Sequence, residues 1–110
     1  MLTFKREDFS GVKLNDSRNI LSVFYAEWCP FCTSFLKLFE MITNEKTDPL
    51  GALVDISDTN NPLWESFEIE IVPTLIGFRG GEVVVKKDGI AGVGLGRPEL
   101  EEAIGQMRKG

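Results

Sequence analysis

The 110-residue chain has no histidine and only two cysteines, Cys29 and Cys32. That excludes Cys/His zinc sites, Cys–His nucleophilic pairs and haem attachment. Two thiols alone hold zinc only with a second chain's help, so no metal is expected. Positive charge is also scarce, with 12 Lys and Arg against 17 Asp and Glu and a net charge of −5. Nucleic acid, which demands a basic face, is disfavoured as a partner. No apolar run approaches the ~20 residues of a membrane span. The opening stretch MLTFKREDF lacks the apolar segment of a secretory signal, so a cytoplasmic protein is expected. There a close cysteine pair is more often catalytic than a structural staple. Internal repeats and low-complexity segments are absent as well. The chain is 43% hydrophobic, enough to bury a core, and its length reads as one domain over 1–110.

The chemistry concentrates in residues 21–32, LSVFYAEWCPFC. Leu21, Val23, Phe24, Tyr25 and Ala26 form a nearly continuous apolar run, as in a strand covered on both faces. Glu27 and Trp28 make a turn. Cys29 falls at a helix N-cap and Pro30 at the first helical position, where its missing N–H is not needed. At that N-terminus, unpaired N–H groups and the helix dipole favour a thiolate. Cysteines so placed have pKa values lowered to about 3.5–7.5, and the thiolate is the nucleophile. Cys32 returns to the same face one turn later. It can displace a partner bonded to Cys29, which is thiol–disulfide exchange through a mixed disulfide. The alternative is an inert buried pair. Trp28 reads as a partly exposed flank of the cysteines or as a core tryptophan. Phe31 reads as a substrate contact or as helix packing, and Trp64 as core.

Elsewhere, Leu2-Thr3-Phe4 reads as a strand and Asp8 to about Asn15 as a modest helix with Phe9, Val12 and Leu14 inward, interrupted by Gly11. The helix after Cys29 carries an inward stripe of Cys32, Phe35, Leu36, Phe39 and Ile42. It should end between Thr43 and Lys46, before Pro49. Leu50 to Ile56 is a second core strand. Asn61 caps a short helix with Pro62 first and Leu63, Trp64 and Phe67 inward. Thr74 to Phe78, the turn Arg79-Gly80-Gly81 and Glu82 to Lys87 make a hairpin. A last helix from Pro98 buries Leu100, Ala103, Ile104 and Met107. The glycine-rich run Gly89 to Gly96 reads as a flexible loop, since it lacks the setting of a dinucleotide fingerprint. The order β-α-β-α-β-α-β-β-α implies parallel pairing with right-handed crossovers and an antiparallel edge.

With these elements placed, the chain resembles the thioredoxin family. FYAEWCPFC resembles its active-site signature, Val72-Pro73-Thr74 its proline segment and FRGGEVV its final hairpin. The resemblance implies a thioredoxin fold, an α/β/α sandwich around a central mixed sheet. It also implies a cis Pro73 beside the cysteines, where on its own Pro73 reads as a strand-start breaker. Such a proline leaves the backbone of Val72 able to pair with an extended substrate segment. The substrate-binding set is therefore Trp28, Pro30, Phe31, Val72 and Pro73, with Cys29 and Cys32 catalytic. Three features depart from the family. Pro30-Phe31 stands where thioredoxins usually carry Gly-Pro, and looks more like the Pro-Tyr of glutaredoxins. Val23 occupies the place of a buried Asp, and Val54 aligns roughly with a buried Lys, so the usual proton relay is missing. Glu27 or Glu40 could replace it. The glycine loop is also longer than the family's turn.

The expected function is therefore a protein disulfide oxidoreductase that needs no cofactor beyond its own Cys29–Cys32 disulfide. Its partners would be disulfide-containing proteins and an upstream thioredoxin-reductase-like flavoprotein or glutathione, and the chain would act as a monomer. A glutathione-dependent glutaredoxin-like enzyme is one alternative. A non-enzymatic redox-sensing or binding module is the other.

Overall fold

The computed structural model describes residues 1–44 and 48–109. The chain runs through β1 (Leu2–Phe4), a 3-10 turn at Arg6–Asp8, β2 (Phe9–Ser10), β3 (Lys13–Leu14), β4 (Ile20–Tyr25), α1 (Pro30–Thr43) and β5 (Leu50–Asp55). Then follow α2 (Leu63–Ser66), β6 (Thr74–Arg79), β7 (Glu82–Lys87) and α3 (Arg97–Lys109). Five strands form one mixed sheet in the order β1-β5-β4-β6-β7. β5 is parallel to both β1 and β4, while β6 is antiparallel to β4 and β7. The apolar run at Ile20–Phe24 makes β4 the central strand, buried along its length as a strand paired on both sides requires.

Period-two alternation along β4 divides the interior into two layers. Leu21 and Val23 face α1 and α3, where Phe35, Phe39, Leu100, Ala103, Ile104 and Met107 complete one core. Ile20 and Phe24 face the other way, toward Phe9, Leu63, Phe67 and Phe78. Four phenylalanines dominate that second layer. Five pairs among Phe9, Phe24, Phe67 and Phe78 have ring centroids 5.3–5.9 Å apart, in tilted or edge-on geometry. Such pairs contribute about 0.5–1.5 kcal/mol each beyond their buried area.

The helix expected from Asp8 to about Asn15 is not formed. Arg6–Asp8 makes a single 3-10 turn, and β2 and β3 pair antiparallel as a small hairpin instead. Gly11 sits in its turn with φ +62°, a conformation a helix interior does not contain. Phe9 and Leu14 are buried as expected, but Val12 is exposed. The next short helix starts one residue later than expected, with Pro62 and not Asn61 as its N-cap, and the Leu63 N–H donates to Asn61 Oδ1 at 2.9 Å in the turn before it. On α1, Phe35 and Phe39 are buried, Leu36 and Ile42 half-buried, and Met41 exposed. The helix ends at Thr43, and Lys46, the far limit of the expected range, lies outside the described residues.

Candidate active site

β4 leads straight into the cysteine pair. Its last residues are fixed on both sides by β5 and β6, so the turn at 26–29 is delivered to one end of the sheet. The Cys29 N–H donates to the Ala26 carbonyl at 3.2 Å and closes the turn. Cys29 has extended backbone (φ −94°, ψ 115°) as the N-cap of α1, and Pro30 occupies the first helical position. That places Cys29 at the positive end of a fourteen-residue helix.

The thiol of Cys29 donates to the Val72 carbonyl at 3.4 Å, across the start of β6. The Val72–Pro73 peptide is cis. Val72, Pro73 and Cys29 thus meet in one place, although 43 residues separate the sulfur from its acceptor in sequence. Both cysteines are buried, Cys29 at 6% exposed and Cys32 at 1%. Burial pushes the Cys32 thiol up to about 12. A hydrogen bond with Cys29 acts in the same direction, and a backbone bond at Ala26 opposes it. The two cysteines therefore differ in exposure, and the more deeply buried Cys32 holds its proton.

This has a measurable consequence for the reduced protein. An unfolded thiol gives up its proton near pH 9, whereas Cys32 in the folded chain keeps it to about 12. The native state therefore binds more protons through that window, and stability falls as pH rises. The slope is at most about 1.4 kcal/mol per pH unit. Urea unfolding of the reduced protein and of Cys32→Ser between pH 8 and 11 should show the extra decline only in the parent. Parallel curves would contradict the assignment.

The flanking residues fall into place around this pair. Trp28 is 58% exposed and Phe31 42%, on either side of Cys29 in sequence, while Pro30 is exposed between the cysteines. Trp28 is therefore a surface flank, not a core residue. Trp64, expected in the core, is only half-buried, and its ring lies parallel to that of Trp28.

The glycine loop is tied down. Ile90 and Gly94 exchange backbone hydrogen bonds at 3.0 and 2.7 Å. A Cβ on Gly94 would stand 2.9 Å from Phe31 Cβ, and one on Gly89 would stand 2.6 Å from the Pro73 carbonyl oxygen. The run expected to be a flexible loop is thus packed against both sides of the cysteine site. It presents Ile90 and Val93 outward. The only sequence signal for this was the density of glycines, which marks close backbone approach as readily as flexibility.

At the place of the missing relay, Val23 is fully buried. Its neighbour on β5 is Leu53, not Val54, which pairs with Phe24 and points to the opposite layer. Glu27 is exposed and Glu40 half-buried. Burial raises the pKa of Tyr25, and the charges of Asp55, Glu27 and Glu40 add to the rise. Cys32 is perturbed instead by its own burial, by Cys29 and by Ala26.

A sequence model described as Thioredoxin matches residues 1–95. The thioredoxin of Mycoplasmoides gallisepticum is 30% identical over 91 residues, covering 83% of this chain and 86% of that protein. A thioredoxin of Mycolicibacterium smegmatis is 32% identical over 100 residues, covering 89% of each. The fold matches the crystal structure of Chlamydomonas reinhardtii thioredoxin f2 with a TM-score of 0.80. That comparison covers 100% of this chain and 98% of the other at 20% identity.

Proposed function

The chain belongs to the thioredoxin family of disulfide oxidoreductases, and on that footing we propose that Cys29 and Cys32 divide the reaction between them. The Cys29 thiolate attacks one sulfur of a substrate disulfide. A mixed disulfide forms and the first substrate thiolate leaves, to be protonated by solvent. Cys32 then loses its proton and attacks the Cys29 sulfur. The second substrate thiolate leaves and the Cys29–Cys32 disulfide remains, with two electrons transferred to the substrate. No other cofactor takes part. An upstream reductant, either a thioredoxin-reductase-like flavoprotein or two molecules of glutathione that leave as glutathione disulfide, restores the pair.

The observation that carries this reading is the 3.4 Å contact between Cys29 Sγ and the Val72 carbonyl, which sets the sulfur against the backbone just before β6. A substrate strand laid beside Val72 and Pro73 would bring its disulfide to Cys29. Trp28, Pro30 and Phe31 would line one side. In this reading residues 1–110 form one domain acting as a monomer on disulfide-bearing proteins. No helix among the described residues is long and apolar enough to cross a membrane. The cytoplasm, where a dithiol is kept reduced, is the compartment proposed.

The test is turnover. Insulin disulfides should be reduced catalytically with dithiothreitol as electron source, and no more than weakly with glutathione alone. Turnover that requires glutathione would favour the glutaredoxin-like alternative suggested by Pro30-Phe31. Failure with both reductants would leave a redox-switched binding module.

A further inference from the structure

We infer that Trp64 is a positioning residue that holds the indole of Trp28 as a fixed wall of the substrate cleft, an inference that rests on the disulfide-reductase reading above. Trp28 immediately precedes Cys29 and is 58% exposed. An indole so open to solvent has two free side-chain torsions and no packing on most of its surface. Here it is held twice. Its Nε1 donates to the Ser57 carbonyl at 2.9 Å, and its ring lies 6.2 Å from that of Trp64 with the planes 5° apart. Those values describe an offset parallel stack.

Trp64 is anchored in its turn. Its Nε1 donates to the Ile56 carbonyl at 2.9 Å and lies 3.2 Å from that of Asp58, and its ring packs against the core layer containing Phe24 and Phe67. Both indoles thus hang from the segment Ile56–Asp58. That segment also receives the Glu27 N–H on Ser57 Oγ at 2.7 Å. It is rooted in the sheet, because the Ile56 N–H donates to the Tyr25 carbonyl at 2.8 Å. One bracket therefore fixes the two residues before Cys29, and Trp64 supplies the flat face that keeps Trp28 from swinging. A preorganised wall lowers the ordering cost of docking an extended segment, so its loss should weaken protein substrates without touching the chemistry.

Three variants and two substrates separate the possibilities. Trp64→Ala and Trp64→Leu remove the stacking face, the second keeping apolar bulk against the core. Trp64→Phe keeps a ring. All three leave Trp28 as the only tryptophan, so its motion is read directly by time-resolved fluorescence anisotropy. The expected result is a fast local component in Ala and Leu but not in Phe. It should accompany a rise in KM for insulin of about five- to tenfold in Ala and Leu, with kcat within about twofold and Phe near the parent. Turnover of a small disulfide, hydroxyethyl disulfide, should stay within about twofold in all variants. An unchanged KM in a folded Leu variant overturns the inference, as does equal loss on both substrates or a Phe variant no better than Leu. If the parent reduces hydroxyethyl disulfide and insulin normally, such a result removes Trp64 alone. If the parent reduces neither, the reductase reading fails and the inference falls with it.

Discussion

Replacing Cys29 with serine is expected to lower disulfide reduction by at least about a thousandfold, because the one remaining thiol, Cys32, is 1% exposed and held protonated to about 12. Replacing Cys32 should give a different failure. Cys32→Ser keeps the outer thiolate and loses the group that resolves the mixed disulfide. It should therefore consume one substrate equivalent and stop, with the target protein bonded to Cys29. Non-reducing electrophoresis and intact mass would show the adduct, and dithiothreitol would release it. The asymmetry comes from position. Cys29 is the N-cap of α1 and is 6% exposed, while Cys32 is 1% exposed and its thiol is pushed up to about 12. At pH 8 such a thiol is ionised to about one part in ten thousand. Limiting iodoacetamide should therefore label Cys29 almost exclusively. Preferential labelling of Cys32, or a stable adduct on Cys29→Ser in place of Cys32→Ser, would reverse the roles.

The parts of this site legible in the sequence are those encoded by short-range pattern. The apolar run at Leu21–Ala26, the cysteine spacing and Pro30 lie within twelve residues and dictate strand, turn and helix together. Parity was harder to read. Val54 and Leu53 are both apolar, and a shift of one residue along a strand moves a side chain to the other layer, so only the register identifies Leu53 as the neighbour of Val23. The segment from Asp8 to about Asn15 misled for a related reason. Phe9 and Val12 stand at a helical spacing, but Gly11 at φ +62° turns the chain into a hairpin, and that is decided by the docking of Phe9 among Phe24, Phe67 and Phe78. Contacts between distant segments left little trace. The stack of Trp28 on Trp64 and the seat of Gly94 against Phe31 join residues 36 and 63 positions apart. No local periodicity marks either pair.

Val23 is where this chain's departure from its family should be felt most. The residue is fully buried in the layer of Leu21, Phe35, Phe39 and Leu75, and it pairs with Leu53 and Leu75 on the flanking strands. With an apolar group there, the proton on Cys32 has no buried carboxylate at this position to receive it. Because that thiol holds its proton to about 12, the reactive fraction should fall tenfold for each unit of pH throughout the neutral range. Resolution of the mixed disulfide should then follow pH with a logarithmic slope near one between about pH 5.5 and 8.5. Val23→Asp places a carboxyl in that layer. Burial without a partner should cost about 2–5 kcal/mol of stability at neutral pH and raise the carboxyl's pKa above the usual value near 3.9. The folded state then binds a proton that the unfolded state has released. The destabilisation should therefore grow as pH rises from about 4 through the raised value, and urea unfolding at pH 4 and pH 8 reads the difference. The resemblance gives this position to the family's relay carboxyl, so above that raised pKa the carboxylate is expected to take the Cys32 proton, and the pH dependence of resolution should flatten in single-turnover stopped-flow measurements. A folded variant that keeps the parent's slope would show that solvent, or another group, already takes the proton. Equal destabilisation at pH 4 and pH 8 would show that the new carboxyl escapes burial.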